Sequence, residues 1–129
     1  MALPEYLDET SFAYRDITGV DRWESFTPVF TSLATSGATS YLGRFRLMGR
    51  ECRFQVEFSA GSGIAATAGT SYLALPVASK GIAGNAAMSD VTTKTAVGVC
   101  HVDTATSRCY LPTQGTSTST FAVSGSYEV

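Results

Sequence analysis

Residues 40–60 read SYLGRFRLMGRECRFQVEFSA, two runs of alternating apolar and polar side chains that meet at Met48-Gly49-Arg50. In the first run Tyr41, Phe45 and Leu47 alternate with Leu42, Arg44 and Arg46; in the second Cys52, Phe54, Val56 and Phe58 alternate with Arg53, Gln55 and Glu57. A period of two places one set of side chains on a buried face and the other in solvent, which is the pattern of half-buried strands. The short glycine-containing link predicts that the two strands are antiparallel neighbours.

Outward from this hairpin the same kind of pattern recurs. Residues 26–31 predict a short strand interrupted by Pro28, which suits an edge or a bulge because proline cannot donate to a ladder. Residues 71–76, 93–103, 107–112 and 120–129 predict four more strands, and residues 78–90 an irregular stretch with one further candidate. The Ala-rich residues 84–88 are too short and too close to glycine for a helix. Short strands joined by Gly/Ser/Thr/Pro segments predict an all-β fold, an antiparallel β-sandwich or jelly-roll-like domain. A parallel α/β fold would need crossover helices that the sequence lacks.

The chain has 129 residues, enough for one hydrophobic core. Residues 1–22 read as an extended N-terminal arm and 23–129 as the β-domain. Six of the eleven acidic residues (Glu5, Asp8, Glu9, Asp16, Asp21 and Glu24) crowd the first two dozen positions. Leu3, Tyr6, Leu7, Phe12, Tyr14 and Ile17 punctuate them without a clean period. So many large apolar side chains suit an assembly arm packed against a neighbouring subunit better than a frayed terminus. The start carries no basic region followed by an apolar run, and no later run is long enough to span a bilayer, so synthesis in the cytoplasm without membrane insertion is expected. A net charge of −2 gives no reason to expect nucleic acid as a partner.

Arg44, Arg46, Arg50 and Arg53 form the one dense positive cluster. Guanidinium forks pair well with carboxylates, so the cluster is a candidate contact for another subunit's acidic arm or an acidic partner; the alternative is the solvated face of the hairpin. Cys100 and Cys109 raise the question of a disulfide. If Asp103-Thr104-Ala105-Thr106 is a hairpin turn, facing residues sum to 209 and the two cysteines are opposed. Opposed Cβ atoms lie about 4.5–5.5 Å apart, whereas a bridge prefers about 3.8 Å. Two buried thiols are therefore expected in a reducing compartment, with a bridge open in an oxidising one.

His101 points away from Cys100 in a strand, which argues against metal binding and cysteine–histidine catalysis. Glu51 and Glu57 lie about 20 Å apart along one strand, too far for a glycosidase pair. No cofactor and no enzymatic activity are expected. Tyr72, Tyr110 and Tyr127 are read as packing residues rather than a sugar platform, and residues 61–70, 81–90 and 114–119 as candidate contact loops.

The ordered segments WESFTPVF (23–30), SYLGRFRLMGRECRFQVEF (40–58), SYLALP (71–76), AVGVCHVD (96–103) and FAVSGSYEV (121–129) resemble a small β-sandwich module of tailed bacteriophages and prophages. That module usually has a tryptophan followed by a Thr-Pro pair, a G-R-Y-R-x-x-G-R hairpin, a Leu-Pro strand end and a closing S-G-x-Y-E strand. This chain departs from it at Phe45, where tyrosine is frequent, and at Met48. The resemblance implies a virion location in a tail-fibre, minor tail or other appendage protein, commonly assembled as a homotrimer. It also implies contacts with other virion proteins and, at the far loops, with a host-surface glycan or protein. A fibre head normally follows a long shaft, whereas 22 residues precede Trp23, which leaves room for a small component held by its arm. A capsid decoration protein is the alternative reading, and a carbohydrate-binding module a further one.

Overall fold

The structure, a computed structural model, describes residues 22–81 and 84–129. Twelve strands run in chain order: β1 Glu24–Phe26, β2 Phe30–Thr31, β3 Ala34–Ser36, β4 Thr39–Met48, β5 Glu51–Ala60 and β6 Gly63–Ala66. They continue as β7 Tyr72–Ala74, β8 Gly84–Asp90, β9 Thr95–Asp103, β10 Arg108–Tyr110, β11 Gln114–Ser117 and β12 Phe121–Glu128. No helix occurs among the described residues. The expected all-β, antiparallel, sandwich-like architecture is what the chain forms.

The predicted hairpin is the longest pairing. Ten residues of β4 face ten of β5, from Thr39 opposite Ala60 to Met48 opposite Glu51. Gly49 turns the chain with φ +63°, the positive value that a two-residue hairpin turn requires at its first position. Along β5 the alternation is complete: Cys52, Phe54, Val56 and Phe58 are buried while Arg53, Gln55 and Glu57 are exposed.

Nine strands form one sheet in the order β1-β4-β5-β12-β8-β9-β10-β7-β2, and β11-β6-β3 form a smaller one. The large sheet begins and ends on strands that are adjacent in sequence. Only Thr27, Pro28 and Val29 separate β1 from β2, and so few residues reach at most about 14 Å. The sheet must therefore curl until its two edges meet. The single strand expected over 26–31 is in fact these two, split at Pro28, which donates nothing and lies buried between them. Gly43 permits the crossing, because a Cβ there would fall 2.8 Å from the Phe26 ring and 2.9 Å from Pro28 Cγ.

The bend is concentrated in β9. Its residues up to Cys100 pair with β8 and its last three with β10. Met88 faces Gly98 whereas Ser89 faces Ala96, so Val97 is an extra residue, a bulge of the kind that bends a strand and increases its twist. Curling brings Phe30 of β2 over the hairpin, 4.7 Å from Phe58 and 5.4 Å from Tyr41 between ring centroids. Phe54, Phe58, Phe121, Leu73, Met88 and Leu111 fill the space between the leaves and are fully buried. Each such side chain contributes about 1.5–3 kcal/mol of apolar burial.

Three sequence expectations are corrected. Residues 84–90, read as part of a contact loop and of an irregular stretch with one candidate strand, are throughout β8, a central strand between β12 and β9. Its Gly, Ala and Ser side chains look turn-like in sequence, yet they are what a crowded interior strand accommodates. Residues 63–66 and 114–117, within two of the expected loops, are the strands β6 and β11. The β9–β10 hairpin sums to 211 rather than 209, with Asp103 opposite Arg108 and Cys109 opposite Val102. Asp103 belongs to the strand because its carboxylate accepts from Ala105 N (3.1 Å) and the Thr106 hydroxyl (2.8 Å), and Ser107 enters the turn with φ +56°.

Candidate functional site: two outward faces

The polar half of the hairpin forms the first face. Arg44 and Arg46 project from β4 on the side away from the core, and their guanidinium carbons lie 4.5 and 5.1 Å from the Trp23 ring centroid. The ring's negative face attracts both cations, each contact being worth about 0.5–1 kcal/mol when exposed. Arg44 is further fixed by donating Nε and Nη2 to Gln55 Oε1 at 2.9 and 2.6 Å. Arg46 faces Arg53 across the ladder, and Arg53 lies 3.7 Å from Glu51. Arg46 Nε is buried without a hydrogen-bond partner. Of the four predicted arginines the structure brings Arg44, Arg46 and Arg53 together on this face; Arg50 sits in the hairpin turn, where its carbonyl accepts from Val129 N at 2.8 Å. Beside them Ala122 and Ser124 of β12 floor a shallow hollow of about 470 Å³ walled by Leu42, Arg44 and Glu57.

The second face lies across β9, β10 and β7. Their buried residues are Val102, Cys109 and Leu73, so the alternation sends His101, Tyr110 and Tyr72 outward. The register aligns these three in one row, His101 opposite Tyr110 and Tyr110 opposite Tyr72. Tyr72 and Tyr110 are 5.3 Å apart between centroids at an interplanar angle of 56°, and His101 lies 6.4 Å from Tyr110. Arg108 sits 4.3 Å over the Tyr72 ring and donates Nη1 to the Tyr110 hydroxyl at 3.1 Å. A hollow of about 500 Å³ adjoins the row, lined by Val99, His101, Asp103, Tyr110 and Thr113 together with the 68–69 loop. That loop is held by Ala68 N donating to Thr113 Oγ1 (3.0 Å) and Thr67 N donating to the buried Ser71 hydroxyl (2.9 Å).

No protein family, curated protein or solved structure matches the chain. Its surfaces must therefore be read from their own chemistry.

Of the three tyrosines assigned to packing, only Tyr127 is buried. Its hydroxyl donates to Val77 O at 2.7 Å and accepts from Val77 N at 3.0 Å, fastening the segment after β7. Burial and the neighbouring Cys52 push its pKa upward. Tyr72 and Tyr110 pack on each other at the outer face, where both remain partly exposed. The signal that could have found them is the buried Cys109 between Arg108 and Tyr110, which sets the parity of β10.

Cys52, Cys100 and Cys109 are buried free thiols. Cys100 and Cys109 share the core side of their strands but are diagonal neighbours, because Val102 occupies the position opposite Cys109. A hydrogen bond between the two thiols, together with burial, pushes Cys109 upward. Among the described residues no group of three or more His, Cys, Asp or Glu side chains could hold a metal ion. The arm residues Leu3, Tyr6, Leu7, Phe12, Tyr14 and Ile17 lie outside the described residues.

Proposed function

We propose that this chain is a non-enzymatic structural protein of a tailed-phage virion, associated with the tail, that joins other copies and virion partners through its N-terminal segment and the arginine face. The observation that carries this reading is the position of Trp23. The acidic residues Glu5, Asp8, Glu9, Asp16 and Asp21 precede it in sequence, and it stacks against Arg44 and Arg46 at the point where that segment joins the β-domain. Trp23 follows the acidic residues directly in the chain, and a carboxylate reaching this face would find guanidinium groups already held in position. The ordered sequence motifs supply the phage and tail part of the reading, and the trimer with it. In a symmetric particle, copies that bind weakly one at a time hold strongly together.

A second reading, a capsid decoration protein, draws on the strip formed by Ala122, Ser124 and Ser126 of β12 with Asn85, Ala87 and Ser89 of β8. Side chains this small allow close approach to a broad partner surface. The test is the native mass of the full chain against one beginning at Arg22. A trimer or larger ring that becomes monomeric without residues 1–21 supports assembly through that segment, and an unchanged mass counts against it. Labelling of intact particles then separates tail from capsid.

A further inference from the structure

The geometry points to a saccharide-binding site on the outer face of β9, β10 and β7, which takes a neutral, hydroxyl-rich pyranose oligosaccharide against Tyr110 and His101. A pyranose is amphipathic in a particular way: its C–H groups form an apolar face and its hydroxyls form a polar edge. A receptor for it needs an exposed ring for the face and hydrogen-bonding groups set beside that ring for the edge. Here the rings are the exposed His101 and the partly exposed Tyr110, and polar groups stand beside them.

Tyr110 belongs at once to the aromatic row and to the wall of the 500 Å³ hollow. It is braced from the side away from His101, by Tyr72 at 5.3 Å and by the Arg108 hydrogen bond to its hydroxyl at 3.1 Å. The ring is therefore ordered before a ligand arrives, and less conformational entropy remains to be lost on binding. His101 extends the same row over the hollow and is exposed. Tyrosine offers rigid, amphipathic contact area of the kind favoured in recognition surfaces.

The polar edge comes from Asp103 and Thr113, which line the same hollow. Asp103 accepts two hydrogen bonds from its own turn, one on each oxygen. A carboxylate has about four lone-pair sites, so capacity remains for sugar hydroxyls. The same carboxylate repels ligands carrying carboxylate or phosphate, and the Arg108 guanidinium, turned to the Tyr72 ring and the Tyr110 hydroxyl, does not line the hollow where such groups would sit. Exposed Val99, with 79% of its surface in solvent, extends the apolar rim. The hollow's volume lies within the range of small-molecule sites, roughly 300–1,000 Å³.

The site is separate from the arginine face, and the inference does not depend on the assembly reading. Its test is an NMR titration of the isotope-labelled full chain with maltohexaose, cellohexaose, laminarihexaose and chitohexaose, alongside an array of neutral bacterial surface polysaccharides; hyaluronan serves as the acidic counter-probe. The expected result is that at least one neutral glycan shifts the ring resonances of Tyr110 and His101. Tyr110→Ala should then weaken binding at least about tenfold, as removal of a central aromatic contact does. His101→Ala alters an exposed side chain that the fold does not need, so it tests the site if Tyr110→Ala unfolds, and it should weaken binding measurably. Absence of binding by every neutral glycan, binding by hyaluronan alone, or affinity unchanged in His101→Ala and in folded Tyr110→Ala would overturn the inference. Native mass measured on the same samples reports assembly independently, so failure of one proposal leaves the other standing or falling on its own data.

Discussion

The arginine face and the tyrosine row are built by the same rule and reached by different routes. In both, period-two alternation sends one side chain in two outward. The arginine face draws on β4 and β5, consecutive strands joined by a two-residue turn, with Trp23 added from just before β1. The tyrosine row draws on positions 72, 101 and 110, which become neighbours only once β7, β10 and β9 are paired in register. A local hairpin declares its own surface chemistry, whereas a surface assembled from distant strands exists only in the folded sheet. The two faces also differ in how they would hold a partner: fixed cations on one suit carboxylates, and braced rings beside a carboxylate on the other suit uncharged, hydroxyl-bearing ligands.

The largest expected effect removes both faces together. Phe58 touches Phe30 and Phe121 and so couples the two leaves on which the faces stand. Phe58→Ala should cost about 3–5 kcal/mol in urea unfolding, with Trp23 fluorescence and tyrosine ring resonances both losing their native signatures. A loss below about 1 kcal/mol would mean that the leaves are not joined through this ring.

Tyr127→Phe keeps the ring but leaves the Val77 N–H and C=O without their hydroxyl partner. It should cost about 1–3 kcal/mol, measured as a lower urea midpoint at unchanged slope. The comparison between faces sharpens with Arg44→Glu, Arg46→Glu. If the proposed assembly holds, this pair should convert it to monomer in native mass spectrometry while costing the fold about 2 kcal/mol or less, since it removes two partly exposed cation–π contacts and the Arg44–Gln55 hydrogen bonds. The tyrosine row should keep its ring resonances unchanged.

The smallest effect concerns acid. Asp103 is held below its ordinary pKa by the Thr106 hydroxyl and then by Ala105 N–H, and Asp90, at the end of β8, chiefly by Thr93 N–H. A depressed folded pKa adds stability that is complete above the unfolded value near pH 4 and is lost as pH falls through the folded value. Urea midpoints should therefore decline in acid, and Asp103→Asn should flatten part of that decline while lowering stability slightly at neutral pH. An unaltered acid profile in this variant would show that the turn carboxylate carries no such linkage.

How far the sequence could be read follows the same divide. The hairpin at 40–60, the interruption at Pro28 and the outward arginines were legible because each rests on neighbours in the chain. The β9–β10 register was missed by two because the αL conformation of Ser107 and the capping by Asp103 decide which residues count as turn. Residues 84–90 offered only a candidate strand within an irregular stretch because small side chains carry little outward-and-inward contrast of size or polarity from which a strand can be recognised. Tyr72 and Tyr110 were assigned to packing because an aromatic residue in a strand is usually core, and only the buried Leu73 and Cys109 beside them fix the opposite parity.

By itself the sequence determined that this chain is an all-β domain whose longest hairpin presents arginines to solvent, because alternation and turn chemistry act within a few residues. Only the tertiary structure decided that β1 and β2 close the sheet from opposite edges and that three rings from separate strands form one row, two of them lining a hollow with Asp103. Those outcomes depend on register and curvature, which arise from the simultaneous fit of side chains far apart in the chain.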